Sequence, residues 1–170
     1  VNALIHDGHR DIAIISGPMS SKPGRERFYG YENALISNHI EVNRDYVFYG
    51  DFKLNSGYEI TKRILKLKNR PSAIFAANNL MAEGCVKALI EAGLSIPEDM
   101  AFIGFDDVDM FEIMNMHSST VSRPTELMGE VAAQMLYELI EKKDVKQTSI
   151  KEVLLETKLV LRGSEKRISK

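Results

Sequence analysis

Two apolar segments of the chain each end on a pair of polar side chains. Met100–Asp107 is an apolar strand that ends on two aspartates, and Ala73–Asn79 is one that ends on two asparagines. In open α/β sheets, the carboxyl ends of neighbouring parallel strands surround the crevice in which ligands bind. Amides and carboxylates suit hydrogen bonding to a polyhydroxylated ligand, and no nucleophile or general base accompanies them. The pattern therefore favours a sensor over an enzyme, and we assign no catalytic residue.

Strand-like and helix-like patterns alternate up to Asp107. Continuous apolar runs, typical of strands buried on both faces, predict strands at Ile12–Ile15, Tyr46–Tyr49, Ala73–Ala77 and Met100–Phe105. Helical periodicity predicts helices at Arg25–Ser37 and Leu80–Ala92. A third helix is predicted to begin at a capping box that starts at Ser56. Strands separated by such helices indicate βαβ units, so we predict an α/β fold with a parallel sheet.

The pattern changes after Asp107. We predict an irregular methionine-rich connection, a short extended segment at Thr120–Ser122 and a long amphipathic helix at Glu126–Lys143. A polar break at 144–149, an extended stretch at 150–161 and a frayed charged tail at 163–170 complete the chain. The first residues read as the end of a helix, which predicts that the sequence is a piece of a longer protein.

Composition narrows the possible functions. The net charge of −2 argues against binding nucleic acid by phosphate neutralisation within this segment. No apolar run is long enough to cross a bilayer, so we expect no membrane partner. The single cysteine, Cys85, lies in an apolar helical pattern and reads as a packed thiol of a reducing compartment.

The polar positions have competing interpretations. The loop Gly17–Gly24 lacks the Gly-Lys-Ser/Thr ending of a phosphate loop. The acids Asp106, Asp107 and Asp109 resemble a metal or phosphoryl-transfer cluster, but three acids alone do not complete an octahedral set. We therefore predict no metal and no cofactor, with the second and third acids solvated and Asp106 open to the crevice.

Two further side-chain types allow structural readings. One asparagine of the 78–79 pair is expected to cap the following helix; we assign that role to Asn79 and ligand binding to Asn78. Arg25 and Arg27 stand at a helix start, where positive charge is unfavourable, so an acid or a ligand is expected near them. The four scattered histidines read as surface or capping residues.

In order and spacing, the chain resembles the effector-binding domain of the lactose-repressor/galactose-repressor family of bacterial transcription regulators. The matching segments are Gly8-His9-Arg10, Arg25 to Tyr31, Gly50-Asp51-Phe52 with Ser56-Gly57-Tyr58, Ala77 to Ala82, Ile96 to Asp99, Gly104 to Asp107, and Thr120 to Pro124. No single motif is decisive, but the ordered series covers nearly the whole chain.

The resemblance implies a periplasmic-binding-protein-like (type I) effector domain, with two α/β subdomains around a cleft. Residues 1–122 would form its C-terminal subdomain, and 123–155 a crossover and the last helix of the N-terminal subdomain. Residues 156–163 would be a returning strand and 164–170 a tail. Operator DNA would be bound only by an N-terminal domain outside this chain.

The resemblance also implies site residues. The positions that match effector contacts are Arg27, Phe52, Asn78, Asp106, Arg123 and Thr125, with Ser21 as a weaker candidate. Arg27 would be a forked donor to vicinal hydroxyls or a carboxylate, and Phe52 an aromatic face against the ligand. The expected effector is a sugar or sugar derivative.

A homodimer is expected through helix 80–92 and the loop after Asp107. The interface residues would be Met81, Glu83, Lys87, Met110, Phe111, Ile113 and Met114. The apolar members of the loop read as an exposed patch, and such patches mark interfaces.

Three functions compete. The first is effector sensing in a cytoplasmic repressor, and the second is a periplasmic sugar-binding protein that serves a transporter and shares the fold. The third is an enzyme, such as a phosphohydrolase, that uses Asp106 and Asp107. The family motifs favour the repressor.

Overall fold

The computed structural model describes residues 1–108, 111, 115–141 and 151–168. Its elements, in chain order, are α1 (Asn2–His6), β1 (Ile12–Ser16), α2 (Lys22–Ser37), a 3-10 turn (Arg44–Tyr46), β2 (Val47–Tyr49), α3 (Leu54–Leu65), β3 (Ala73–Ala76), α4 (Asn79–Glu91), β4 (Ala101–Phe105), β5 (Ser119–Ser122), α5 (Thr125–Glu141) and β6 (Lys158–Val160). None of the described helices is long and apolar enough to cross a membrane.

The strands form one sheet in the order β2-β1-β3-β4-β5-β6. The pairs β1–β2, β1–β3, β3–β4 and β4–β5 are all parallel. The four predicted strands and the parallel sheet are thereby confirmed. The parallel order aligns the carboxyl ends of β1, β3 and β4, the ends that precede the polar residues.

Strand β1 is buried on both faces. Ala13 and Ile15 pack into one apolar cluster, which α3 and α4 complete, while Ile12 and Ile14 pack into another with α1 and α2. Cys85 belongs to the first cluster and is fully buried, and burial raises the pKa of its thiol to about 12. It is a packed thiol, as predicted.

The chain divides into two compact units, residues 1–121 with 159–170, and residues 122–158. The first unit contains β1 to β4 and both apolar clusters. The second contains α5, none of whose residues is fully buried; in its predicted apolar stripe Met128, Leu136 and Leu139 are exposed. The assignment of α5 to another subdomain stays a prediction, and the predicted break at 144–149 lies outside the described residues.

Two helices begin earlier than predicted. Helix α2 starts at Lys22 because the hydroxyl of Ser21 accepts the N–H of Gly24 at 3.1 Å, which caps the helix three residues before the predicted start. Helix α3 starts at Leu54, and the capping box at Ser56 is wrong. The Ser56 hydroxyl instead donates to the Lys53 carbonyl at 2.9 Å, from within the first turn.

The predicted frayed tail begins with two buried residues, while residues 166–168 are exposed. Ser164 and Glu165 are 3% and 4% exposed. The Ser164 hydroxyl donates to the Phe102 carbonyl at 2.6 Å and accepts the N–H of Ser119 at 2.7 Å. His9 is also buried, against the prediction of a surface histidine, with its Nδ1 2.8 Å from the Ser72 hydroxyl; burial lowers the pKa of His9.

Two glycines allow α3 and α4 to touch through their backbones. A Cβ on Gly84 would lie 2.0 Å from the Leu54 carbonyl oxygen and 2.7 Å from the Tyr58 nitrogen. A Cβ on Gly57 would lie 2.3 Å from the Met81 carbonyl oxygen. Because these obstacles are backbone atoms, no side-chain rotation relieves the clash.

We predict that Gly84→Ala lowers the free energy of unfolding by about 1–3 kcal/mol, as expected for overpacking. The control is Gly30→Ala in α2, where a Cβ would meet nothing within 4 Å. That exposed helical change should raise stability by about 0.5–1 kcal/mol, because glycine loses more backbone entropy on folding. Urea unfolding measures both values. Equal stability of Gly84→Ala and the parent would contradict the close helix contact.

Candidate functional site

Arg27 lies at the carboxyl ends of β3 and β4. One guanidinium nitrogen donates to the carbonyl of Ala77 at 2.5 Å. The guanidinium carbon lies 3.7 Å from the centre of the Phe105 ring, which is a cation–π stack. A planar fork held in this way presents N–H donors in a fixed direction, which suits hydroxyl or carboxylate groups.

Arg25 has a different role from that of Arg27. It donates to the carbonyls of Met19 and Ser20, both at 3.0 Å, and so ties down the loop before α2. Its partners are backbone oxygens, whereas the sequence led us to expect an acid or a ligand. Ser21 caps α2 and also donates its hydroxyl to the Pro18 carbonyl at 2.9 Å, which commits the proton of that hydroxyl within the loop.

Phe52 covers the end of β1. Its ring lies so close to Gly17 that a Cβ there would stand 1.9 Å from a ring carbon, and only glycine fits. The backbone of Phe52 is left-handed, with φ of 66°, a conformation that costs a bulky residue free energy. Asn78 donates its side-chain N–H to the Phe52 carbonyl at 3.4 Å. The aromatic face is therefore positioned by residues that follow β1 and β3.

The helix cap that we predicted at Asn79 is made by Asn78. Asn78 is the N-cap of α4, since its side-chain oxygen accepts the N–H of Met81 at 2.8 Å. The side-chain oxygen of Asn79 accepts only from its neighbours, the N–H of Leu80 at 2.9 Å and the amide of Asn78 at 3.1 Å. The extended backbone of Asn78 explains this, because an N-cap residue is non-helical. Ligand contact by Asn78 stays a prediction.

Asp106 follows β4 in a left-handed turn, with φ of 67°. Its N–H donates to the Val121 carbonyl at 2.9 Å, and its own carbonyl accepts from the Thr120 hydroxyl at 2.9 Å. Asp107 is exposed, as expected for a loop acid, and it also pairs with Arg162 at 2.9 Å. Asp109 lies outside the described residues.

The other predicted effector residues are in the second unit. Arg123 is half-buried and Thr125 is exposed, and the N–H of Thr125 donates to the Arg123 carbonyl at 2.9 Å. Their part in ligand binding stays a prediction.

The residues predicted for the dimer interface differ in their burial. Met81 is fully buried and Phe111 is 5% exposed, edge-on to Phe102 with ring centres 6.3 Å apart. The expectation that Phe111 belongs to an exposed patch is wrong, because its side chain fills the protein's own core, as does that of Met81. Glu83 is half-buried and Lys87 exposed. The remaining three residues, Met110, Ile113 and Met114, lie outside the described residues.

The sequence analysis assigned no site role to three contributors to this region. Gly17 carried no signal without the knowledge that an aromatic ring covers it. Phe105 was visible as the last apolar residue of its strand, directly before an aspartate. Arg162 is separated from Asp107 by 54 intervening residues, and no local pattern connects them.

Metal chemistry finds no support in the described part of the chain. Within it, no group of three or more histidine, cysteine, aspartate or glutamate side chains is placed to hold a metal ion. The polar groups that the region does present are a guanidinium, which donates hydrogen bonds, an amide, which donates and accepts them, and carboxylates, which accept them, beside two aromatic rings. This set is suited to reversible binding of a polar ring compound.

Comparison with known proteins gives a consistent result. The periplasmic binding protein-like domain model matches residues 1–165. The chain is 37% identical over 169 residues to the probable HTH-type transcriptional repressor ExuR of Bacillus subtilis, covering 99% of this chain and 50% of that protein. It is 35% identical to the ribose operon repressor of Escherichia coli K12, covering 85% and 44%.

Solved structures agree with the sequence relatives. The cellobiose complex of the transcriptional regulator CelR superimposes with a TM-score of 0.86 at 36% identity, covering 96% of this chain and 49% of that one. A sugar-binding LacI-family regulator of Escherichia coli, solved with phosphate, gives a TM-score of 0.78 at 32% identity, covering 96% and 57%. The chain spans about half the length of the curated relatives that it matches.

Proposed function

Since the chain belongs to the family of periplasmic-binding-protein-like domains and its relatives are LacI-family repressors, we propose that it senses a small-molecule effector for a bacterial transcriptional regulator. The regulator would act in the cytoplasm, and operator DNA would be bound by a domain outside this sequence. The effector would be a sugar or sugar derivative.

One observation carries the proposal: the convergence of Arg27, Phe52, Asn78 and Asp106 at one edge of the sheet. Arg27 reaches the carbonyl directly before Asn78, and Asn78 reaches the carbonyl of Phe52. Asp106 directly follows the ring on which Arg27 stacks. Aromatic faces beside a forked donor and a carboxylate match the C–H faces and hydroxyl edges of a sugar ring.

The competing functions have less support. The relatives are transcriptional regulators, which favours the sensor over the transporter's periplasmic binding protein. A phosphohydrolase that uses Asp106 and Asp107 would need the second acid available, and that acid is paired with Arg162.

We predict that Asp106→Asn weakens binding of the effector to the full-length protein. A thermal-shift screen of neutral sugars, including cellobiose and ribose, with sugar acids, sugar phosphates and purines identifies the ligand. Loss of a charged hydrogen bond of about 1.5–3 kcal/mol corresponds to a roughly 10- to 150-fold higher Kd by calorimetry. Asparagine tolerates the left-handed turn, so the fold should persist.

The control for this experiment is Asp45→Asn, at an exposed residue of the 3-10 turn. It should leave the Kd unchanged. Unaltered affinity in both Asp106→Asn and Arg27→Ala would refute the site. Stabilisation by purines alone, with no response to any sugar, would refute the effector class.

We also propose that the regulator is a homodimer that uses the outer face of α4. Leu80 and Ile90 are 44% and 46% exposed. With Glu83 and Lys87 they fall at positions i, i+3, i+7 and i+10, which is one stripe of the helix. This stripe contains two of the predicted interface residues, Glu83 and Lys87, and has Leu80 in place of the buried Met81.

Ile90→Glu is expected to weaken self-association of the full-length protein about tenfold or more, since loss of a buried isoleucine side chain costs about 1.5–3 kcal/mol. The matched control is Ile36→Glu on α2, where the isoleucine is 58% exposed. Sedimentation equilibrium measures both dissociation constants. An equal effect of the two substitutions, or none from Ile90→Glu, would rule out this face.

A further inference from the structure

The turn that presents Asp106 is held by contacts from two distant parts of the chain. The N–H and carbonyl of Asp106 bond to Val121 and Thr120, each at 2.9 Å. The next side chain, that of Asp107, pairs with Arg162 at 2.9 Å. The first two bonds fix the peptide groups of Asp106 itself, and the ion pair fixes the residue that follows.

Arg162 is in turn attached to the start of β5. Its backbone N–H donates to the Ser119 hydroxyl at 2.8 Å, and one guanidinium nitrogen donates to the Ser118 carbonyl at 2.8 Å. A second guanidinium nitrogen makes the ion pair with Asp107. The arginine therefore bridges β5 and the turn after β4. Its backbone N–H and its guanidinium both take part in these contacts.

The base of this bridge is a buried polar network. The Ser119 hydroxyl donates to the carboxylate of Glu165, which also accepts the N–H of Gly163 at 3.0 Å. Ser119 is fully buried and Glu165 is 4% exposed. Fully satisfied buried networks rigidify the surrounding chain. Arg162 thus extends from a rigid base toward the turn.

We propose that Arg162 is a positioning residue, which holds the left-handed turn at Asp106 in its ligand-binding conformation through the carboxylate of Asp107. The inference rests on the proposed function, because it assigns Asp106 to the effector. Non-glycine residues persist in left-handed conformations only where their surroundings over-determine them. The ion pair with Arg162 adds a third constraint to the two backbone hydrogen bonds.

The exposure of the pair determines how large its effect is. The side chains of Arg162 and Asp107 are 33% and 45% exposed, so solvent screens their attraction. Such an ion pair favours the left-handed turn over conformations in which the turn is broken by a factor of about five at most. Its removal should open the turn locally and leave the stability of the whole unit nearly unchanged.

Hydrogen exchange at the Asp106 amide tests the proposal on the full-length protein without ligand. The variants are Arg162→Gln, Asp107→Asn and the double substitution. The Ala77 amide, bonded to the Ile15 carbonyl at 2.9 Å, is the internal reference for general destabilisation. The matched control variant is Arg44→Gln, which removes another ion pair of 2.9 Å, to Glu32.

The expected result is faster exchange at Asp106 in each single variant, by a factor of up to about five, with no further increase in the double variant, since the two groups act through one contact. Exchange at the Ala77 amide should not change in the test variants, and exchange at the Asp106 amide should not change in Arg44→Gln. The proposal would be overturned if exchange at Asp106 were unchanged or if exchange at Ala77 accelerated by the same factor. It would also be overturned if the factors of the two single variants multiplied in the double variant. Because no ligand is present, a failed effector screen would not alter this outcome.

Discussion

The parallel alignment of β1, β3 and β4, covered by helices on both faces, is the constraint on which the rest of the structure depends. With both faces buried, polar side chains of these strands have access to solvent only beyond the strand ends. Parallel pairing places the carboxyl ends together, so residues distant in sequence become neighbours. The close backbone contact of α3 with α4 belongs to the same cover, since it completes one of the two apolar clusters.

Two of the residues at this edge carry unfavourable backbone conformations. Phe52 and Asp106 have φ of 66° and 67°. Such conformations typically cost about 1–3 kcal/mol each and cluster at ligand sites. Here each is held by named contacts: the Asn78 amide and the surface of Gly17 for Phe52, and β5 for Asp106. The fold thus supplies the stability that keeps an aromatic ring and a carboxylate in these conformations.

The strands and the polar residues at their carboxyl ends could be predicted because both are local signals. Continuous apolar runs mark doubly covered strands, and the polar pairs directly follow them. The roles of Asn78 and Asn79 could not be separated in this way, because a shift of one residue decides which side chain faces the helix N–H groups. The burial of Phe111 was hidden because an apolar residue in an irregular segment suits a core and an interface equally well.

Long-range pairs were beyond the sequence for a different reason. Arg162 and Asp107 meet because the chain after β6 is bonded to the start of β5, beside the turn after β4, and neither residue differs locally from a solvated charge. The packed segment at Ser164 and Glu165 looked like a charged tail, since its buried hydroxyl and carboxylate are satisfied by partners on β4 and β5. Charge content predicts exposure only where no such partner exists.

The most direct test of the effector site is hydrogen exchange of the full-length protein with and without the sugar that stabilises it most. Ligand contacts should slow exchange in the segments that contain Arg27, Phe52, Asn78 and Asp106, with the largest change next to Asp106. Exchange in helix α3, which packs into one of the two apolar clusters, should be unaffected. Protection that appears elsewhere while these four segments remain unchanged would contradict the site and the sensing function built on it.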